Sequence, residues 1–213
     1  MLGLPQSTEV KRPLPKAQLY KRFDWKPSQR DCFDGNVARL DFINWISPRT
    51  LPAIAEGDEV KELFVIEVSL KKRDFDTKSI VLLAKSIPQR VIYALRFEDD
   101  VMLAVYHSKL FTSVWQSSDT ATLSLAGLNL DAVWVNIVNS VRSEQLEVDS
   151  SLFTTNSSPL TTLTEQIKVD EEHAKLMRQI ESLERQMNAS KQPRRKRELY
   201  QRIKMLKCTL HND

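Results

Sequence analysis

Two apolar rows separated by a single proline constrain this chain more than any other feature. Leu176, Ile180, Leu183 and Met187 step by 4, 3 and 4, and Leu199, Ile203, Leu206 and Leu210 repeat that spacing. Residues three and four apart share one face of a helix, so each row is a seam of about two heptads. Pro193 lies in the short interval between the rows, which predicts two antiparallel helices. Isolated helices of this length are marginal in water. The arms must therefore pack on each other, on the rest of the chain or on a partner.

The charge follows the same division. The chain of 213 residues has a net charge of +3. Residues 161–213 hold 12 Lys/Arg against 8 Asp/Glu, a net of +4, whereas the other 160 residues hold 19 against 20. A neutral body with a basic tail points to a polyanion or an acidic partner for the tail.

The tail follows an expected α/β domain over residues 1–142 and a Ser/Thr-rich linker over 143–162; the basic helical hairpin, a short coiled coil, takes 163–213. Pro5, Pro13 and Pro15 make residues 1–16 an extended arm lying on the domain. A short helix after Pro15 runs through Leu19 and Tyr20. A longer helix begins near Pro27, with Phe33, Val37, Leu40, Ile43 and Ile46 on one face, and ends before Pro48 and Pro52. Residues 60–71, rich in β-branched and aromatic side chains, read as a strand. Asp76 or Thr77 caps a helix over 80–86. Strands follow over 90–97, 101–106 and 111–116, the first two joined through Glu98, Asp99 and Asp100 as a hairpin, with a further short strand over 122–125. Leu130, Val133, Trp134, Ile137, Val138 and Val141 mark an amphipathic helix. The order predicts a mixed sheet with helices packed on it.

The longest apolar runs fall far short of the roughly 20 residues that span a bilayer. No signal peptide is read at the N-terminus. Cys32 and Cys208 are the only cysteines, a usage that suits a reducing cytoplasm and offers neither a disulfide framework nor zinc spacing. The four glycines form no phosphate-binding loop, and no Gly-x-Ser-x-Gly elbow exists. No cofactor and no metal is expected. His107 reads as a polar residue at a strand end.

Two segments could carry function. The hairpin tip reads Lys191-Gln192-Pro193-Arg194-Arg195-Lys196-Arg197. Arginine forks pair two oxygens at once, so Lys191, Arg194, Arg195, Lys196 and Arg197 suit phosphates or an acidic surface; the plainer reading is a solvated turn. With only Tyr200 nearby, backbone contact fits better than base stacking. The second segment is Glu67-Val68-Ser69-Leu70-Lys71 with Asp74 and Asp76. Metal-dependent nucleases need carboxylates and a lysine around the attacked phosphate. Their usual spacing is acid, one residue, lysine; here that position holds Ser69. An ion pair between strands is the simpler reading of Glu67.

Several stretches, in order, resemble a known family: Leu4-Pro5 with Ser7-Thr8-Glu9, Ile46-Ser47-Pro48 with Leu51-Pro52, Phe64 to Lys71 followed by Asp74, Ile87-Pro88, Gly127-Leu128-Asn129-Leu130-Asp131, and Lys191-Gln192-Pro193-Arg194-Arg195-Lys196. Together they are similar to the uncharacterised bacterial family catalogued as domain of unknown function number 4391. Members are typically encoded beside Snf2-type helicases and DNA methyltransferases, in restriction-like or phage-defence loci. The resemblance implies a setting and a partner but no catalytic residue. The expectation is an accessory, non-enzymatic subunit of a DNA-processing complex. It would bind a helicase or methyltransferase and touch duplex DNA, with homo-oligomers through the hairpin as a further outcome. The alternative is a divergent nuclease using Glu67 and Lys71, helped by Asp74 or Asp76.

Overall fold

The computed structural model describes residues 2–147, 163–189 and 192–212. Most of the expected linker, from 148 onward, and Lys191 lie outside the described residues. The chain divides into two compact units, Met1–Phe153 and Thr154–Asp213.

The first unit is a seven-stranded mixed sheet with helices. Its strands are β1 (Glu9–Pro13), β2 (Val37–Ile46), β3 (Leu63–Leu70), β4 (Arg90–Phe97), β5 (Asp100–His107), β6 (Lys109–Thr112) and β7 (Gln116–Ser117). They run in spatial order β1-β2-β3-β4-β5-β6, with β7 paired to β5. Only β3 and β4 are parallel; the other pairs are antiparallel. The parallel pair requires a crossover, supplied by α3 (Thr77–Ser86). Asp76 caps that helix, its carboxylate accepting from the Lys78 N–H at 2.9 Å.

Period-two alternation sorts the side chains of β4. Val91, Tyr93 and Leu95 join Ile66, Val68 and Leu70 of β3 in a core with Ile80 and Leu83 of α3. The same core takes Leu19 of α1 (Lys16–Phe23) and Phe33 of α2 (Pro27–Asn36). Ile92 and Ala94 point to the other face and are equally buried. Helix α4 (Leu130–Glu147) packs against β5 and β6. All six of its expected core residues are buried.

The segment 37–46 is a strand, not the second half of a helix. The buried positions Val37, Leu40, Asn44 and Ile46 imitate helical spacing because the β2–β3 register slips twice, between Val37 and Arg39 and between Phe42 and Asn44. Each bulge adds a residue to one strand and resets the alternation. The content of Val, Phe, Ile and Trp in that stretch carries the β preference. The expected strand over 111–116 is also cut short. Ser113 Oγ accepts from the Leu103 N–H at 2.9 Å and interrupts the ladder, leaving β6 and the two-residue β7. Residues 122–125 form no strand: the Leu123 N–H donates to the Leu2 carbonyl at 2.9 Å, which pins the N-terminal arm. That arm is a single 3-10 turn over Gln6–Thr8 followed by the edge strand β1. The linker boundary shifts too, since α4 continues to Glu147.

The second unit contains α5 (Leu163–Ala189) and α6 (Pro193–Asn212). The two helices lie alongside each other. Ile180 and Ile203, central in their seams, are 3% and 4% exposed. Leu176, Leu183, Met187, Leu199 and Leu206 are half-buried. No helix among the described residues is long and apolar enough to cross a membrane.

Candidate nucleic-acid interface

The tip is built by the chain reversal. Pro193 opens α6, where its missing N–H costs nothing and its fixed φ suits the first turn. Arg194, Arg195, Lys196 and Arg197 then occupy that turn, and all four are exposed. Arg194 lies 3.7 Å from Glu198 one turn on. Among the described residues no carboxylate pairs with Arg195, Lys196 or Arg197. The first turn of α6 carries no acidic residue, although the positive end of the helix dipole favours acids there. Four cations at that end repel the dipole and one another, so the arrangement does not serve the helix. It concentrates positive potential in solvent.

The charge belongs to one arm. Helix α6 has seven Lys/Arg and one acid, Glu198, whereas α5 has four Lys/Arg against six Asp/Glu. The hairpin is thus a neutral-to-acidic arm beside a strongly basic one.

Glu67 lies on the sheet face opposite α1–α3. Its carboxylate, 18% exposed, meets Arg96 at 3.4 Å. Both line a small open cleft, with a cavity volume of about 20 Å³, together with Leu2, Ile43, Ala94, Val101 and Ser118. The cleft lies on the face of the sheet near the middle of the parallel β3–β4 pair, where Glu67 is in register with Ala94. Asp41, which sequence reasoning missed, stands directly across from Glu67 in the β2–β3 register. Arg39 holds Asp41 at 2.6 Å. Asp41 went unnoticed because 37–46 read as a helix.

The remaining acids of the nuclease alternative lie elsewhere. Asp76 spends one oxygen on the α3 cap, and the other faces the Cys32 thiol at 3.8 Å. Asp74 is exposed in the loop before it. The Lys71 N–H donates to the Asn36 carbonyl at 2.8 Å, and its ammonium adds to the positive field at Asp34. Among the described residues no group of three or more His, Cys, Asp or Glu could hold a metal ion. His107 ends β5 and accepts a hydrogen bond from the Trp134 indole at 3.5 Å. Burial and the nearby Arg90 keep its pKa below the ordinary value.

The stretch 127–131 serves the fold. Asn129 caps α4 by accepting from the Ala132 N–H at 2.9 Å. Leu130 is fully buried. The Asp131 carboxylate accepts from the N–H groups of Asp58 at 2.5 Å, Val60 at 2.7 Å and, more weakly, Glu59 at 3.3 Å. Burial alone would raise the Asp131 pKa, but these N–H groups outweigh it and hold the carboxyl below its ordinary value.

The model of one protein family, described as domain of unknown function DUF4391, matches residues 2–210. The chain belongs to that family. The match spans both units, so the basic hairpin is part of the family's architecture and not an appendage to it. No curated protein and no solved structure matches the chain.

Proposed function

We propose that this chain is an accessory, non-enzymatic subunit of a DNA-processing restriction or phage-defence complex. Its body docks on a larger partner, a helicase or DNA methyltransferase, and its hairpin touches DNA or that partner. The observation that carries the reading is the run Arg194–Arg197, exposed and, among the described residues, lacking carboxylate partners apart from the Glu198 contact. The helicase or methyltransferase setting is what the family resemblance implies.

Phosphate contacts release counterions, so binding weakens steeply with salt. Changing Arg194, Arg195, Lys196 and Arg197 together to Ala is expected to lower the slope of log affinity against log salt by about 3 to 4, one phosphate contact per residue. The measurement is a salt titration of binding to a duplex oligonucleotide, run beside a pull-down with the neighbouring gene products. If neither DNA nor partner binding changes, the tip has no such role.

The nuclease alternative retains one favourable observation, the pairing of Asp41 with Glu67 across β2 and β3. Two carboxylates with waters can suffice for Mg²⁺, yet each here already faces an arginine. Cleavage of DNA in Mg²⁺ that is abolished by Glu67→Ala supports an enzyme. Absent or unchanged cleavage removes it.

A further inference from the structure

Beyond the tip, α6 carries a second element that a purely electrostatic contact does not need. Tyr200 is 60% exposed, although a large aromatic ring normally gains by burial. Residues four apart stack on one helical face, which sets Lys196 one turn before Tyr200 and Lys204 one turn after it. Arg197, three residues back, borders the same ring. All three cations are exposed. The seam residues Leu199, Ile203 and Leu206 lie on the adjoining face with α5, so the ring is not needed to close the hairpin. The stripe is therefore cation, ring, cation, running from the basic tip up the outside of α6.

From Arg194 to Lys204 the helix rises about 15 Å at roughly 1.5 Å per residue. A stacked strand places a phosphate about every 3.4 Å, so the stripe spans about four phosphates. Cations spaced along a groove or ridge with an interleaved aromatic are what single strands require, because the ring offers a platform to an unpaired base. A closed duplex keeps its base faces stacked inside, so it offers a ring on such a surface nothing to stack on and meets it with phosphates and groove edges.

We infer that the outer face of α6 binds single-stranded DNA next to a duplex, with Tyr200 stacking on an unpaired base while Lys196, Arg197 and Lys204 hold the flanking phosphates. This deepens the proposed DNA contact and rests on it. The surface would recognise the strand junction that a helicase or strand-separating partner creates, with no sequence readout.

The test uses the full chain and two fluorescent oligonucleotides, a blunt duplex and the same duplex with a single-stranded tail. Wild type is expected to prefer the tailed DNA. Tyr200→Leu should weaken tailed binding about tenfold, the scale of one lost base stack, and leave blunt binding within about twofold. Tyr200→Phe, which keeps the ring, should retain the preference. Helix content and melting of each variant show that the hairpin is intact. Equal affinity of wild type for both DNAs overturns the inference, as does a Tyr200→Leu variant that still prefers the tail. Either result leaves the tip contact standing. Failure to bind either DNA at low salt overturns the DNA contact itself, and the inference with it.

Discussion

Two charged segments of this molecule invite comparison, the loop around Asp131 in the body and the run Arg194–Arg197 in the hairpin. Both belong to stretches that carry the family resemblance. In the body the charge is consumed: Asp131 accepts from the backbone of 58–60, and the neighbouring chains are stitched together by the Leu130 N–H donating to the Ala55 carbonyl at 3.0 Å. In the hairpin the charge is displayed, at the helix end where it is least welcome. A charge that satisfies buried or local donors reports on the fold. A charge that opposes its own helix dipole needs another reason, and an external anion supplies one.

Substitutions at three positions would break or sharpen this contrast. The largest effect is expected at Gly57. A Cβ there would run into the Asp131 carboxylate and come within 2.7 Å of its backbone nitrogen. Gly57→Ala should cost the body about 3 kcal/mol, the upper end of ordinary point-mutant effects. A denaturant titration would read it as a fall in midpoint. DNA binding by the still-folded protein should be unchanged, and a loss there would mean that the two segments are not separate in role.

Asp131→Ala comes next, at about 2 kcal/mol for hydrogen bonds to a charged acceptor. It also has a pH signature. The folded pKa of Asp131 is depressed, so its contribution is present above the unfolded value of about 3.9 and is lost as pH falls through the lower folded value. Acid unfolding of the wild type should thus be steeper below about pH 4 than that of Asp131→Asn. Identical acid profiles would show that the loop does not use the charge.

The smallest effect is expected in the hairpin, with the opposite sign. Arg195→Glu places an acid in the first turn of α6 and should stabilise that helix by about 0.3 to 1 kcal/mol. Its thermal melting should rise slightly while DNA affinity falls. A variant that loses stability would show that Arg195 is structural after all, and the contrast with Asp131 would disappear.

Legibility differed between the units for a physical reason. The hairpin was readable because its seams are local: spacing within one helix and one proline specify it. Helix α4 was readable for the same reason, its six apolar positions matching one face. The strand β2 was not. Its two bulges answer to the register with β3, a partner some 25 residues away in sequence, and they turned a period-two pattern into something close to a helical one. The candidate sites follow that division. The cationic tip could be named from sequence, apart from its relation to the dipole. Asp41 could not, because its place opposite Glu67 exists only once the strands are paired.

By itself, then, the sequence determined the hairpin, the neutral body and the concentration of positive charge in the last helix, since each is set by neighbouring residues or by composition. Tertiary structure decided the rest. Pairing across the sheet put Asp41 beside Glu67 and gave Glu67 to Arg96. Packing of α5 on α6 covered Ile180 and Ile203 while leaving Tyr200 outside, between two lysines. Whether a polar or aromatic side chain is spent internally or left for a partner depends on what the fold brings within a few ångströms of it, and sequence spacing alone does not specify that.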